Sequence, residues 1–262
     1  MTRVLSALVL LPIVIGTIWF LPPIATLVLA AIAALLAFTE YATLASALGA
    51  RIPAVLTGAA VIAACIAVGA APAALEVVLM SGFVAIATLA VAAGRVDPSV
   101  LRDVSAAVLP LVYIGMPLGA LAAIRLVAGR EAVMLLLATI VISDSGQYYS
   151  GRAFGRRPLA PAISPKKTIE GAIGGMVLGT AAMVLGGVWI FPDANPVLLT
   201  LTAAAVVALG IVGDLFESLL KRSAGVKDSS QLIPGHGGVL DRIDSWLFAS
   251  PVYYVFVRYL QI

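Results

Sequence analysis

Charge is scarce in this chain: Asp, Glu, Lys and Arg make up 11% of its 262 residues, against roughly 25% in an ordinary soluble domain. With 62% hydrophobic residues and a mean hydropathy of +1.11, that scarcity excludes a water-soluble globule. Cysteine is nearly absent. Cys65, the single one, lies in an apolar run without a partner, which rules out a disulfide framework and reads as packing. Internal repeats and low-complexity linkers are also missing. What the chain has is apolar sequence along its whole length, enough for many spans of about 20 residues each.

Backbone groups in lipid must bond within their own segment, so these runs read as helices. Nine are expected, roughly at 4–20, 24–48, 52–71, 74–93, 104–127, 132–151, 171–191, 197–220 and 243–261. The fold class is therefore all-α, a polytopic integral membrane protein. The first run, with Arg3 ahead of it, has a signal-peptide look but is kept as a mature span, because apolar sequence continues to Phe38 with no nearby cleavage pattern. Nine crossings put Arg3, Arg51, Arg95, Arg102, Arg152, Arg156, Arg157, Lys166, Lys167, Lys221, Arg222, Lys227 and Arg242 on one side. Only Arg125, Arg130 and Arg258 of the 16 cations fall on the other. The positive-inside rule then makes the amino terminus cytoplasmic and places the carboxyl terminus outside.

Residues 1–139 read as a scaffold of helices with charges only at their ends, and residues 140–262 as the region with chemistry. Gly171, Gly175 and Gly179 recur every four residues, a close-packing face for helix association within the fold or between subunits. Ionisable groups in spans are costly and mark function. Asp144 near the end of the sixth span, Asp214 in the eighth, and Asp241 with Asp244 at the start of the ninth share a depth and can converge on one cavity. Asp214, Ser218 and Lys221 stand four and three residues apart, hence on one helix face, with Glu217 and Arg222 flanking. An ion pair of Asp214 with Lys221 or Arg222 is the structural alternative, and a helix cap is the alternative for Asp244.

Between the last two spans, Lys227-Asp228 leads to Pro234-Gly235-His236-Gly237-Gly238. Its glycines allow amides to approach an anion closely, as a phosphate cradle does; an ordinary turn is the plainer reading. The loop at 151–171 adds Arg152, Arg156, Arg157, Lys166 and Lys167, and ends at Thr168, a helix cap. Carboxylates among many cations call for a ligand carrying phosphate and metal. Mg2+ takes one or two carboxylates and completes its shell with water and phosphates, a role that Asp214 and Asp241 fit. Residue chemistry alone reaches metal-assisted phosphoryl or nucleotidyl transfer in a membrane.

The run Ser218-Leu-Leu-Lys221-Arg222, then Lys227-Asp228, Pro234-Gly-His236-Gly237-Gly238 and Asp241-Arg242-Ile-Asp244 resembles the signature of phosphatidate cytidylyltransferases, also called CDP-diacylglycerol synthases. Asp144-Ser-Gly146, Phe154-Gly155 and Ser164-Pro165-Lys166-Lys167-Thr168 look like two further blocks of that family, while Gln147 and Ile169 depart from its pattern. The resemblance covers roughly residues 140–246. It implies conversion of CTP and phosphatidic acid to CDP-diacylglycerol and pyrophosphate with Mg2+, beside which a second cation such as K+ has room. It implies catalytic roles for Asp214, Asp241, Asp244 and Lys221, with metal on Asp214 and Asp241. Ser218, Arg222, Lys227, Asp228, His236, Gly237, Gly238, Arg242, Lys166, Lys167 and Asp144 would line the substrates. The implied setting is the cell membrane with a cytoplasmic active site, membrane lipids and a homodimer partner, and no nucleic acid. A CTP-dependent kinase of a lipid alcohol such as a polyprenol or phytol, and a cation-coupled transporter using Asp144, Asp214 and Asp241, are the competing readings.

Overall fold

The structure, a computed structural model, describes residues 2–260; the last residue of the ninth expected span and the side chain of Arg3 lie outside that description. Helices dominate: α1 (Thr2–Phe20), α2 (Pro23–Ala47), α3 (Ala54–Ala70), α4 (Leu75–Ala92), α5 (Ser99–Pro110), α6 (Met116–Phe154), α7 (Ile169–Ile190), α8 (Pro196–Ser223) and α9 (Leu240–Val255). The all-α expectation needs one amendment. Strands β1 (Pro158–Ala160) and β2 (Ser164–Thr168) form an antiparallel hairpin inside the cationic loop between α6 and α7, with Pro158 opposite Thr168 and Ala160 opposite Ser164.

The helix ends follow local chemistry. Pro23 occupies the first turn of α2, where a missing N–H costs nothing. Thr168 caps α7 by accepting from the Gly171 amide at 3.1 Å, as its sequence position predicts. Asn195 Oδ1 accepts from the amides of Val197 at 2.9 Å and Leu198 at 3.3 Å at the start of α8.

Among the described residues, five helical stretches are long and apolar enough to cross a membrane: Pro23–Ala47, Pro72–Ala92, Ser99–Phe154, Ile169–Ile190 and Pro196–Ser223; Leu8–Phe20 and Ala54–Ala70 are apolar but shorter. Length and composition thus support five of the nine expected spans outright and leave the full count of nine unconfirmed. Part of the difference lies in Ser99–Phe154. At 56 residues it would run about 84 Å, nearly three bilayer cores, but it is not one rod. Gly129 adopts φ 87° and ψ −179° and breaks it just ahead of Arg130-Glu131, where the sequence separates its fifth and sixth spans. A π-helical turn, Leu111–Gly115, follows Pro110 and joins α5 to α6.

The chain forms two compact units: one contains Met1–Ala123 and Ser223–Arg242, the other Ile124–Arg222 and Ile243–Ile262. This division runs along a different line from the 1–139 and 140–262 reading, because the loop before α9 belongs with the early helices. In the first unit α3 is central, with Val61, Ala64 and Cys65 fully buried. A Cβ on Gly115 would lie 2.6 Å from the Val61 carbonyl oxygen, and one on Gly119 would lie 2.5 Å from that of Cys65. This second four-residue glycine pair lets two backbones touch.

In the second unit the glycine face of α7 packs on α6. A Cβ on Gly171 would fall 2.7 Å from the Gln147 carbonyl oxygen; on Gly175, 2.4 Å from Gln147 Cγ; on Gly179, 2.9 Å from Ser143 Cβ and 2.8 Å from Val207 of α8. Of the two uses expected for this face, the structure thus has the one within the chain. Gly175→Val is expected to destabilise the protein by about 1–3 kcal/mol through overpacking. Thermal unfolding in detergent measures it, and a wild-type melting temperature would refute the close approach of α6 and α7.

Candidate active site

The polar residues singled out in the sequence gather into two clusters, one in each unit. In the second unit Asp214 stands on α8 and forms an ion pair with Lys167, which β2 carries. The hairpin explains this reach: a short rigid turn, unlike a floppy loop, presents one lysine to the helix face. Ser218, one turn after Asp214, donates to Asp214 Oδ1 at 3.5 Å. Asp144 on α6 accepts from Gln147 Nε2 at 3.0 Å. Asp144, Asp214 and Asp244 lie within electrostatic range of one another, with Lys167 in range of Asp144 and Lys221 in range of Asp244. Three helices therefore bring three carboxylates together. Gly213 enables the approach of α9, since a Cβ there would sit 2.5 Å from the Asp244 carbonyl oxygen.

The alternative pairing of Asp214 with Lys221 or Arg222 is not the one found. Lys221 pairs instead with Glu217 one turn earlier, and both are buried. Arg222 Nε donates to the Ile163 carbonyl at 3.4 Å, holding the hairpin's turn against the end of α8. Lys166 is exposed. Glu170 anchors the other side of the hairpin: it accepts from the amides of Arg156 at 3.0 Å and Arg157 at 3.2 Å, and from Arg157 Nε at 3.1 Å. Asp244 is not a conventional cap, as its carboxylate meets the adjacent Ser245 amide at 2.7 Å.

The first unit holds Asp241. Its Oδ2 accepts from the Ser229 amide at 2.9 Å, the Ser229 hydroxyl at 2.9 Å and the Gly238 amide at 2.7 Å. Pro234–Gly238 curls tightly, with Gly235 at φ 77° and Gly237 at φ 81°, where only glycine sits without strain. A Cβ on Gly238 would lie 2.1 Å from Ser229 Oγ and 2.3 Å from Glu40 Oε2. The glycines of the expected phosphate cradle thus make room for the chain's own carboxylates. Arg242 Nε donates to the His236 carbonyl at 3.0 Å, and His236 Nδ1 lies 2.6 Å from Ser6 Oγ. Lys227 and Asp228 are exposed.

Glu40 is the residue that sequence reading missed. It sits well inside α2, not at a helix end, and is 4% exposed. Its carboxylate accepts from the Ser230 hydroxyl at 2.7 Å, the Ser229 hydroxyl at 2.9 Å, and the amides of Val239 and Leu240 at 2.8 Å each. The last two are orphan donors at the start of α9, so a glutamate from α2 caps a helix 200 residues away in sequence. A lone acid within an apolar helix was the available signal.

Among the described residues no group of three or more His, Cys, Asp and Glu side chains is placed to hold a metal by itself. The oxygen donors at Asp214 and Ser218 nonetheless suit a hard cation that takes one or two carboxylates and fills its shell from phosphate and water.

The profile of the Cytidylyltransferase family matches residues 1–260. The chain is similar to the phosphatidate cytidylyltransferase of Haemophilus influenzae, 48% identical over 136 residues that cover 48% of this chain and 46% of the relative. It is similar to that of Helicobacter pylori, 42% identical over 160 residues covering 60% and 59%, and to that of Bacillus subtilis, 41% identical over 151 residues covering 56% and 55%. The chain thus spans about half the length of the curated relatives it matches.

Proposed function

Because this chain belongs to the Cytidylyltransferase family, we propose that it is an enzyme that transfers CMP from CTP to phosphatidic acid, forming CDP-diacylglycerol and pyrophosphate in the membrane. The carrying observation is the meeting of Asp144, Asp214 and Asp244 with Lys167 and Lys221 in one compact unit. A phosphate oxygen of phosphatidic acid attacks the α-phosphorus of CTP in line; the bond from that phosphorus to the bridging β-phosphate oxygen breaks, and pyrophosphate leaves with the electron pair. A phosphate monoester is already a nucleophile at neutral pH, so no strong general base is needed. Positioning and charge stabilisation then supply the rate.

Mg2+ is proposed with Asp214 as its carboxylate; Asp241 is a second only by what the motif resemblance implies. When bound it would neutralise phosphate charge and polarise the reacting phosphorus. Lys167 would exchange Asp214 for substrate phosphate, Lys166 and Arg222 would draw the polyphosphate to the hairpin, and Ser218 would orient Asp214. Lys221, held by Glu217, would point its fixed charge toward the transferring group, while Asp144 and Asp244 set the field around it. We take the nine-crossing topology with the cationic loops and site on the cytoplasmic side, and a homodimer as the assembly.

The test is transfer from labelled CTP to phosphatidic acid by purified protein in detergent. Label from the α-position is expected in lipid, only with Mg2+ added. γ-Label moving to a lipid alcohol would replace this reading with a kinase, and no transfer of either would overturn it.

A further inference from the structure

The loops that connect α2 to α3 and α4 to α5 enclose a cavity of about 230 Å3 in the first unit, which the reaction above does not use. Its walls are of two kinds. Ile86, Leu89, Ala90 and Ala93, from the last turns of α4 and just beyond, make an apolar side together with Ile52 and Val104; Arg51, Arg95 and Asp103 make the polar side. Because α4 lies in one of the stretches apolar enough to cross a membrane, that change from apolar to cationic wall falls at the end of a span, where acyl chain gives way to headgroup.

Charge at the polar side does not balance. Asp103 accepts from the Arg51 amide at 3.1 Å and Arg95 Nη2 at 3.3 Å, and lies 3.6 Å from Arg102 Nε. Asp97, exposed on the α4–α5 loop, adds a second negative charge within reach of Arg51 and Arg95. Three guanidinium groups thus face two carboxylates, and one positive charge remains. Arg95 Nη1 is, moreover, shut off from solvent and has no hydrogen-bond partner among the described residues, although the rest of the side chain is partly exposed. A buried N–H donor without an acceptor is costly, and an anion drawn by the surplus positive charge would supply one.

We propose that this cavity binds one anionic phospholipid with a phosphodiester headgroup, its phosphate on Arg51 and Arg95 and an acyl chain along Ile86, Leu89 and Ala90. A single negative charge matches the single surplus cation, and the apolar wall selects a lipid over a soluble phosphate, which would leave that wall wet. Phosphate recognition by paired guanidinium groups at a membrane surface is a strong and geometrically specific contact. The lining residues of this cavity belong to the first unit and Asp144, Asp214 and Asp244 to the second.

Native mass spectrometry of the full-length protein in detergent, titrated with phosphatidylglycerol, tests this. One tightly held lipid per chain is expected. Arg51→Ala, which leaves the Arg95–Asp103 pair in place, and Arg95→Ala should each weaken retention about fivefold. Ala90→Trp should weaken it by filling the apolar side with every guanidinium intact. Equal retention by Arg51→Ala and Ala90→Trp would overturn the site even if Arg95→Ala failed to fold. Equal binding of phosphatidylcholine would reduce it to an apolar slot, and full competition by inorganic phosphate would reduce it to a free-anion site; either result defeats the proposal. CMP transfer by Arg51→Ala remains near wild type, so loss of lipid retention is separable from failure of the proposed activity.

Discussion

Asp214→Asn should lower CMP transfer by a factor of about 100 to 1,000, the range found when one preorganised electrostatic group is removed from a transition state. The change is nearly isosteric, but it removes the charge that pairs with Lys167. It also removes the carboxylate proposed to face the metal. Folding should hold, because Asp214 keeps 28% of its side chain exposed and Lys167 keeps 21%, and a pair that accessible contributes little to stability. A melting temperature within a few degrees of wild type, together with the lost turnover, is the expected result. Near-normal turnover would remove Asp214 from the mechanism. Lys167→Met separates the pair from the metal: if the lysine also meets substrate phosphate, KM for CTP rises in this variant, whereas a lysine that only neutralises Asp214 leaves KM unchanged.

Glu40→Gln is expected to be nearly as damaging as Glu40→Ala, costing about 3–5 kcal/mol, the range for breaking a buried charged network. The carboxylate receives four donors, two hydroxyls and two amides, and donates nothing. A glutamine of the same shape keeps one acceptor oxygen and turns its NH2 toward one hydroxyl and one amide; the hydroxyl can rotate to accept, but the amide at the start of α9 is left facing hydrogen. Since Ser229 also donates to Asp241, the loss reaches the start of α9. Thermal unfolding in detergent reads the stability, and CMP transfer reads the effect on Asp241. Wild-type behaviour of Glu40→Gln would show that the cap on Val239 and Leu240 is not what holds the loop. Turnover lost at an unchanged melting temperature would make Glu40 a positioning residue acting through Ser229.

Much of the second-unit cluster was legible from spacing. Asp214, Ser218 and Lys221 fall on one face of α8, and Thr168 caps the preceding helix, α7, where its side chain and the following Gly171 predict. The partners were not legible. Lys167 reaches Asp214 only because residues 158–168 fold into a hairpin, and nothing in a polar run of cations announces which one will turn inward. The pairing of Lys221 with Glu217 was within reach, being one helical turn apart, but two neighbouring acids competed for the same lysine and burial decided between them. Glu40 was missed for another reason: a single acid among apolar residues has no pattern around it, and its four partners lie about 190 to 200 positions further on.

Composition alone determined that this chain is helical and belongs in a membrane, because a backbone deprived of water must close its hydrogen bonds locally. The order of residues alone singled out the acids and bases, Glu40 excepted, to which chemistry is assigned by proposal, because charge in an apolar helix is costly. Tertiary structure decided the rest. It put the loop before α9 with the early helices, and let carboxylates occupy the glycine turn at 235–238. It also left one arginine donor at the α4–α5 loop without an acceptor among the described residues. Such outcomes depend on the free-energy balance among contacts between groups far apart in the chain, and that balance has no local signature.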